Sequence, residues 1–196
     1  MNLLEENLKL KLLPASHYDA IPFQELRMFC HYQARYLLPT VELIEFLKPY
    51  TNNALEIGAG CGDLGYHLGL RMTDNYCQYF PEVKEYYEAL QQPIIKYGKD
   101  VELLDAALAI KHYNPDVVIG AWVTNWVDPL LPPSPGGGSV HGIKEDEILD
   151  RGITYIVIGA EEIHKHKPIM KAKHQKIDAP FVRSRRQDNK IWIWNG

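Results

Sequence analysis

A short apolar run that empties into glycines is the feature that most narrows what this chain can fold into. Ala54-Leu-Glu-Ile57 follows the breakers Pro49 and Asn52-Asn53 and leads straight into Gly58-Ala-Gly60-Cys-Gly62. Glycine reaches positive φ without steric cost and lets another group come close to the backbone, so a strand, a glycine turn and a helix in succession make a ligand-binding turn of an α/β sheet. The helix is expected over about residues 63–70. A second strand is read at Arg71-Met-Thr-Asp74, a helix with Pro81 in its first turn over 81–90, and a third strand over 94–97. Asp100 is placed as the N-cap of a helix that Asn114-Pro115 ends. Residues 117–122 read as a central strand, 144–150 as a brief helix, and 155–158 and 191–194 as buried strands. This alternation predicts an α/β, Rossmann-like, doubly wound and mostly parallel sheet with helices on both faces.

Ahead of that core, residues 1–50 read as a helical preface. Phe23, Leu26 and Cys30 share a helical face, and a further helix over 39–47 is expected to carry Pro39 in its first turn. One domain over 1–196 is expected, since 196 residues with 46% hydrophobic side chains suffice for a single sizeable core. No apolar run reaches the roughly 18 residues of a membrane-spanning helix. Glu5 and Glu6 stand where a secretory signal would be basic. Cys30, Cys61 and Cys77 are odd in number and far apart, which suits neither a disulfide framework nor a metal knuckle. A soluble, cytoplasmic protein is therefore expected.

The formal net charge of -4 conceals an asymmetry, because residues 161–196 hold nine Lys and Arg against four acids. That basic end reads either as a solvated face or as a surface for nucleic acid or another acidic partner, and no aromatic-interleaved motif accompanies it. His164, His166 and His174 are interspersed with lysines that repel a cation, so no metal site is expected.

Two chemistries compete for the glycine turn. Gly60, Gly62 and Gly65 fit the GxGxxG spacing of nicotinamide-dinucleotide oxidoreductases, in which a helix N-terminus holds a pyrophosphate. Counted from the strand end, however, the first turn glycine is Gly58 and the third expected glycine falls on Asp63, an acid badly placed beside phosphate. The pattern of an acid followed by alternating glycines, Glu56, Gly58, Gly60 and Gly62, resembles motif I of the class I S-adenosylmethionine-dependent methyltransferases. S-adenosylmethionine brings an ammonium and a sulfonium and no phosphate, so Glu56 and Asp63 favour it electrostatically.

The resemblance spans about residues 40–160 and implies S-adenosylmethionine as cofactor and methyl transfer to an acceptor it does not identify. It implies that Asp74, followed by Asn75, holds the ribose hydroxyls from the end of the second strand, although the twelve residues from Gly62 to Asp74 are fewer than that family usually has. The adenine contact falls on Asp100 or on Asp105. The loop after the central strand becomes the catalytic loop, with Trp122 packing on the substrate and Asn125 or Asp128 orienting a nucleophile or taking its proton. The Asp/Asn-Pro-Pro-aromatic motif of amino-group methylases is absent, since Asp128-Pro-Leu-Leu breaks it at the third position. A chain that keeps the fold and acts as a non-catalytic binding module is a further reading. Finally, the Pro/Gly-rich residues 129–142 are expected to form a mobile flap over the cleft.

Overall fold

The computed structural model describes residues 2–130 and 138–196. The preface holds α1 (Ala15–Asp19), α2 (Phe23–Tyr32), β1 (Leu37–Leu38) and α3 (Val41–Leu47). The core follows with β2 (Ala54–Ile57), α4 (Asp63–Leu68), β3 (Arg71–Asp74), α5 (Pro81–Ala89), β4 (Glu102–Leu103), α6 (Ala106–Tyr113) and β5 (Val117–Ala121). It is completed by α7 (Asp146–Leu149), β6 (Thr154–Ala160), α8 (Glu161–His164), β7 (Gln175–Asp178), β8 (Arg183–Ser184) and β9 (Asn189–Trp194).

A seven-stranded sheet runs in the order β4-β3-β2-β5-β6-β9-β7. Its first five strands are parallel, whereas β9 lies antiparallel to both β6 and β7. The mixed α/β class and the mostly parallel sheet are as the sequence predicts. Strands buried on both faces lack an apolar–polar alternation, and what alternates here is the face itself. Ile119, Ile156, Ile158, Ile191 and Ile193 pack toward Leu43, Ile44 and Leu47 of α3 and Leu64 of α4. Their chain neighbours Val118, Tyr155, Val157, Trp192 and Trp194 pack toward Ala109 and Ile110 of α6 and Ile148 of α7.

Four sequence expectations need correction. Residues 94–97 form no strand, because Pro93 removes a donor and the Ile95 amide is taken by the side chain of Gln78 at 2.8 Å. The third parallel strand is β4, a two-residue edge pairing Glu102 with Thr73 and Leu103 with Asp74. Asp100 therefore caps nothing, and α6 begins later under Asp105, whose carboxylate accepts from the Ala107 amide at 2.9 Å. Pro39 lies outside α3, whose cap is Thr40, its hydroxyl accepting from the Leu43 amide.

The preface is also less helical than expected and less separate. Residues before α1 fold back through an antiparallel bridge from Leu4 to Leu10, and β1 pairs with β8 near the other end of the chain. Leu3, Leu10, Tyr18, Leu26, Cys30 and Leu38 form a cluster of their own. The basic end carries the buried strand expected at residues 191–194, while most of its Lys and Arg side chains reach solvent. Trp192 and Trp194 are 2% and 1% exposed, and aromatic side chains bury roughly 150–250 Å² each, which makes β9 a core strand. Among the described residues no helix is long and apolar enough to cross a membrane.

Candidate functional site

The cleft opens where β2 ends, over the carboxyl ends of the parallel strands. Gly58, Gly60 and Gly62 take φ of 59°, 57° and 72°, which side-chain-bearing residues rarely adopt. A Cβ at Gly58 would stand 2.8 Å from Val123 Cγ1, and one at Gly62 would stand 2.7 Å from Val101 Cγ2. These two glycines thus let neighbouring chain pack closely. Gly60 has Ile95 at 3.4 Å as its nearest neighbour and lines the cleft with Gly58, whereas Gly62 lies behind it.

Two carboxylates frame the turn. Glu56, the third residue of β2, is 2% exposed and accepts from the Gly65 amide at 2.8 Å through Oε2. Burial pushes its carboxyl up to about 8, with Asp63 and Asp74 adding to the rise, while the Gly65 amide and Lys9 pull the other way. Asp74, the last residue of β3, accepts from the amides of Gly60 and Tyr76, each at 2.9 Å. Burial still raises its pKa against those bonds. A carboxylate has about four lone-pair sites, so Asp74 retains capacity for a ligand's hydroxyls.

Two cations from the preface lock this frame, a feature invisible as a local motif. Arg35 forms a buried ion pair with Asp63, whose other oxygen accepts from the Leu10 amide at 2.8 Å. Lys9 donates to the carbonyls of Cys61 (2.7 Å) and Gly62 (3.2 Å) and to Asp100 (2.6 Å). Asp63 is accordingly neutralised within the protein and not held open for a cationic ligand. Asp100 serves Lys9 and is not part of the cleft lining, while Asp105 and Ala106 line the cleft. Asn75 lines it too, with its amide donating to the His141 carbonyl at 2.9 Å.

Of the three expected catalytic residues Trp122 lines the cleft, together with its neighbours Val123 and Thr124. Trp122 holds φ at 57°, a strained setting for an aromatic residue, and this turns the chain sharply out of β5. Asn125 is 3% exposed and donates to the Trp126 carbonyl, and Asp128 caps the following turn by accepting from the Leu130 amide. Neither lines the cleft. They belong to the stem of the expected flap, where Asn125 bridges to Ile143 and Trp126 to Ser139. Residues 131–137 of that flap lie outside the described residues, and the described part sends His141, Gly142 and Ile143 to the cleft wall.

The cleft encloses about 190 Å³ and adjoins a second cavity of about 640 Å³, the two sharing Asn75, Asp105, Ala106 and residues 141–143. Sequence reading also missed an aromatic side of the cleft, built from Tyr36, Tyr87 and Tyr97 facing Trp122. His164 stays buried on the ring edge of Trp122 with Nδ1 at 2.9 Å from the Ala160 carbonyl, and burial lowers its pKa to about 4. Among the described residues no three His, Cys, Asp or Glu side chains converge as a metal would require. No protein-family model and no curated protein matches this chain.

Proposed function

We propose that the cleft binds S-adenosylmethionine and that the protein transfers its methyl group to an acceptor. The observation that carries this reading is the sign of the charges around the glycine turn. Glu56 and Asp74 line it from the ends of adjacent strands, and the nearby cations are consumed, Arg35 by Asp63 and Lys9 by Asp100 and two turn carbonyls. A pyrophosphate placed here would meet Asp74 and oppose ionisation of Glu56, whereas an ammonium and a sulfonium are attracted to Asp74 and favour the ionised form of Glu56. Asp74 would take the ribose hydroxyls, Glu56 the ammonium, and Asp105 or the Ala106 backbone the adenine edge.

When bound, S-adenosylmethionine supplies an electrophilic methyl that leaves its sulfur as the acceptor heteroatom bonds to it and that heteroatom's proton departs. The protein's task is then mainly positional, holding the reacting atoms about 3 Å apart, which can contribute several kcal/mol. Trp122 would press on the acceptor from the turn after β5.

The nicotinamide reading loses support at Gly65, the third glycine of its pattern. The Gly65 amide is occupied by Glu56, and a Cβ there would lie 2.4 Å from Met72 Cγ, so this glycine serves helix–strand packing. The sheet also departs from the 3-2-1-4-5-6 order of dinucleotide folds by interposing the antiparallel β9. The basic end gives little support to a nucleic-acid partner, because Arg183 pairs with Asp19, Arg186 with Asp188, Lys190 with Asp178 and Lys176 with Glu161.

Isothermal titration with S-adenosylmethionine and S-adenosylhomocysteine tests the proposal. Micromolar binding that Asp74→Ala weakens at least tenfold is expected, and no heat from either compound at millimolar concentration would sink it.

A further inference from the structure

The aromatic side of the cleft has a construction of its own. Tyr36, from the preface, and Trp122, from the turn after β5, bring their rings to 5.9 Å with planes tilted by 42°. Tyr87, of α5, lines the same cleft. Each hydroxyl is fixed by a glutamine, Gln92 donating to Tyr36 at 3.0 Å and Gln78 to Tyr87 at 3.2 Å. Gln78 is held in turn, its carbonyl oxygen by the Ile95 amide and its own backbone amide by the Tyr97 hydroxyl at 3.2 Å. Each glutamine donates to the oxygen of its hydroxyl and leaves that hydroxyl's own proton to donate to a ligand heteroatom. Rings pinned this way lose little conformational freedom on binding.

The charge of the same space selects further. Among the described residues Arg35 is the cleft's one permanent cation, and its charge is met by Asp63. Glu56, Asp74 and Asp105 add acid to the lining. The Arg185 guanidinium stands 5.3 Å from the centre of the Tyr36 ring and engages that ring's face; an anionic acceptor entering here also meets Asp74 and Asp105, whereas an uncharged flat ring meets aromatic faces and hydroxyl donors.

Resting on the S-adenosylmethionine reading, we propose that the methyl acceptor is a small, uncharged aromatic or heteroaromatic molecule carrying a hydroxyl or amine. Its ring lies against Tyr36 and Trp122, and its polar edge takes a hydrogen bond from the hydroxyl of Tyr36 or Tyr87. In the transfer, the acceptor's O or N bonds to the methyl carbon, the carbon–sulfur bond breaks with its electron pair going to sulfur, and the acceptor's proton passes to water. Tyr36 and Tyr87 set the acceptor's position and take no part in that bond exchange.

The test begins by saturating the protein with S-adenosylhomocysteine, whose binding is measured first; absence of that binding would overturn the parent reading and this one with it. On the saturated protein, saturation-transfer NMR then compares phenol and indole with 4-hydroxybenzoate, indole-3-carboxylate and a mixed-sequence single-stranded oligonucleotide. Phenol and indole are expected to bind at least tenfold more tightly than their carboxylated counterparts, with no saturation transfer to the oligonucleotide. Tyr87→Phe, which removes one hydroxyl and keeps the ring, is expected to weaken phenol at least fivefold while S-adenosylhomocysteine affinity stays within twofold; Tyr36→Ala should do the same to indole. Preference for the carboxylates or the oligonucleotide, or no uncharged ring bound by a protein that takes S-adenosylhomocysteine, would overturn the acceptor proposal alone.

Discussion

Glu56 is a carboxylic acid kept where water cannot solvate its charge, so its protonation state is a property of the fold and a sensor of what enters the cleft. Its folded pKa near 8 exceeds the ordinary carboxyl value, which means the folded protein binds more protons than the unfolded chain between roughly pH 4.5 and 8. Stability contributed at this site is therefore complete at low pH and falls as pH rises toward 8, by at most about 1.4 kcal/mol per pH unit. Glu56→Gln preserves an acceptor for the Gly65 amide and removes the ionisation, so urea denaturation from pH 5 to 8 should show the variant gaining on the wild type as pH rises. A ligand ammonium favours the ionised form, and S-adenosylmethionine affinity should accordingly increase up to about pH 8 and level off beyond it. A binding curve flat over pH 6 to 8 would count against an ammonium beside Glu56. The neighbouring pair behaves differently. Asp63→Ala strands the Arg35 guanidinium, which is 8% exposed, and should cost about 3–5 kcal/mol in denaturation, whereas replacing both residues with Leu and Met should recover most of it.

At the level of elements, legibility followed the range of the interactions. β2, β5, β6 and β9 were readable because each holds a run of mostly apolar residues, β3 from its place after the first helix of the core, and the glycine turn because its three glycines stand at positions that positive φ requires. The third strand was not, since β4 is an exposed two-residue edge that pairs with β3 and carries no burial pattern of its own. The start of α6 moved from Asp100 to Asp105 for a related reason: Val101 is buried against Gly62 and Glu102 enters the ladder, so residues with acceptable helical spacing were claimed by the sheet. Both aspartates look alike as caps in sequence, and only the partner distinguishes them, Lys9 for one and the Ala107 amide for the other. Of the expected site residues, Glu56, Gly58, Gly60, Asp74, Asn75 and Trp122 line the cleft, being local to strand ends. Arg35, Tyr36 and Tyr87 were missed, because they reach the cleft from elements distant in the chain. The cap assignment is itself measurable: Asp105→Ala should lower stability by about 1 kcal/mol through loss of the α6 cap, while Asp100→Ala should leave α6 intact and act through Lys9.

Across the whole molecule, the first residues of the chain and the glycine turn form one mechanical unit. Lys9 bonds two carbonyls of the turn, the Leu10 amide bonds Asp63, Arg35 Nη2 reaches the Leu8 carbonyl at 2.8 Å, and His67 of α4 stands 2.7 Å from the Leu10 carbonyl. All but the Arg35–Leu8 contact cross more than fifty residues of chain, and they join the preface cluster to the sheet. Ordering the turn around a ligand should therefore slow openings of the segment clamped to it, because a local opening of either must break the same buried bonds. Hydrogen exchange followed by mass spectrometry gives the measurement. Saturating S-adenosylhomocysteine is expected to slow exchange at residues 58–65 and, in parallel, at residues 3–11, which lie outside the cleft lining. Lys9→Met cuts the central link while keeping most of the apolar stem, so it should abolish the protection of residues 3–11 and leave a weakened protection at the turn. Protection confined to residues 58–65 in the wild type would mean that the preface is merely attached to the site, and that the cations it inserts shape the turn without sensing its ligand.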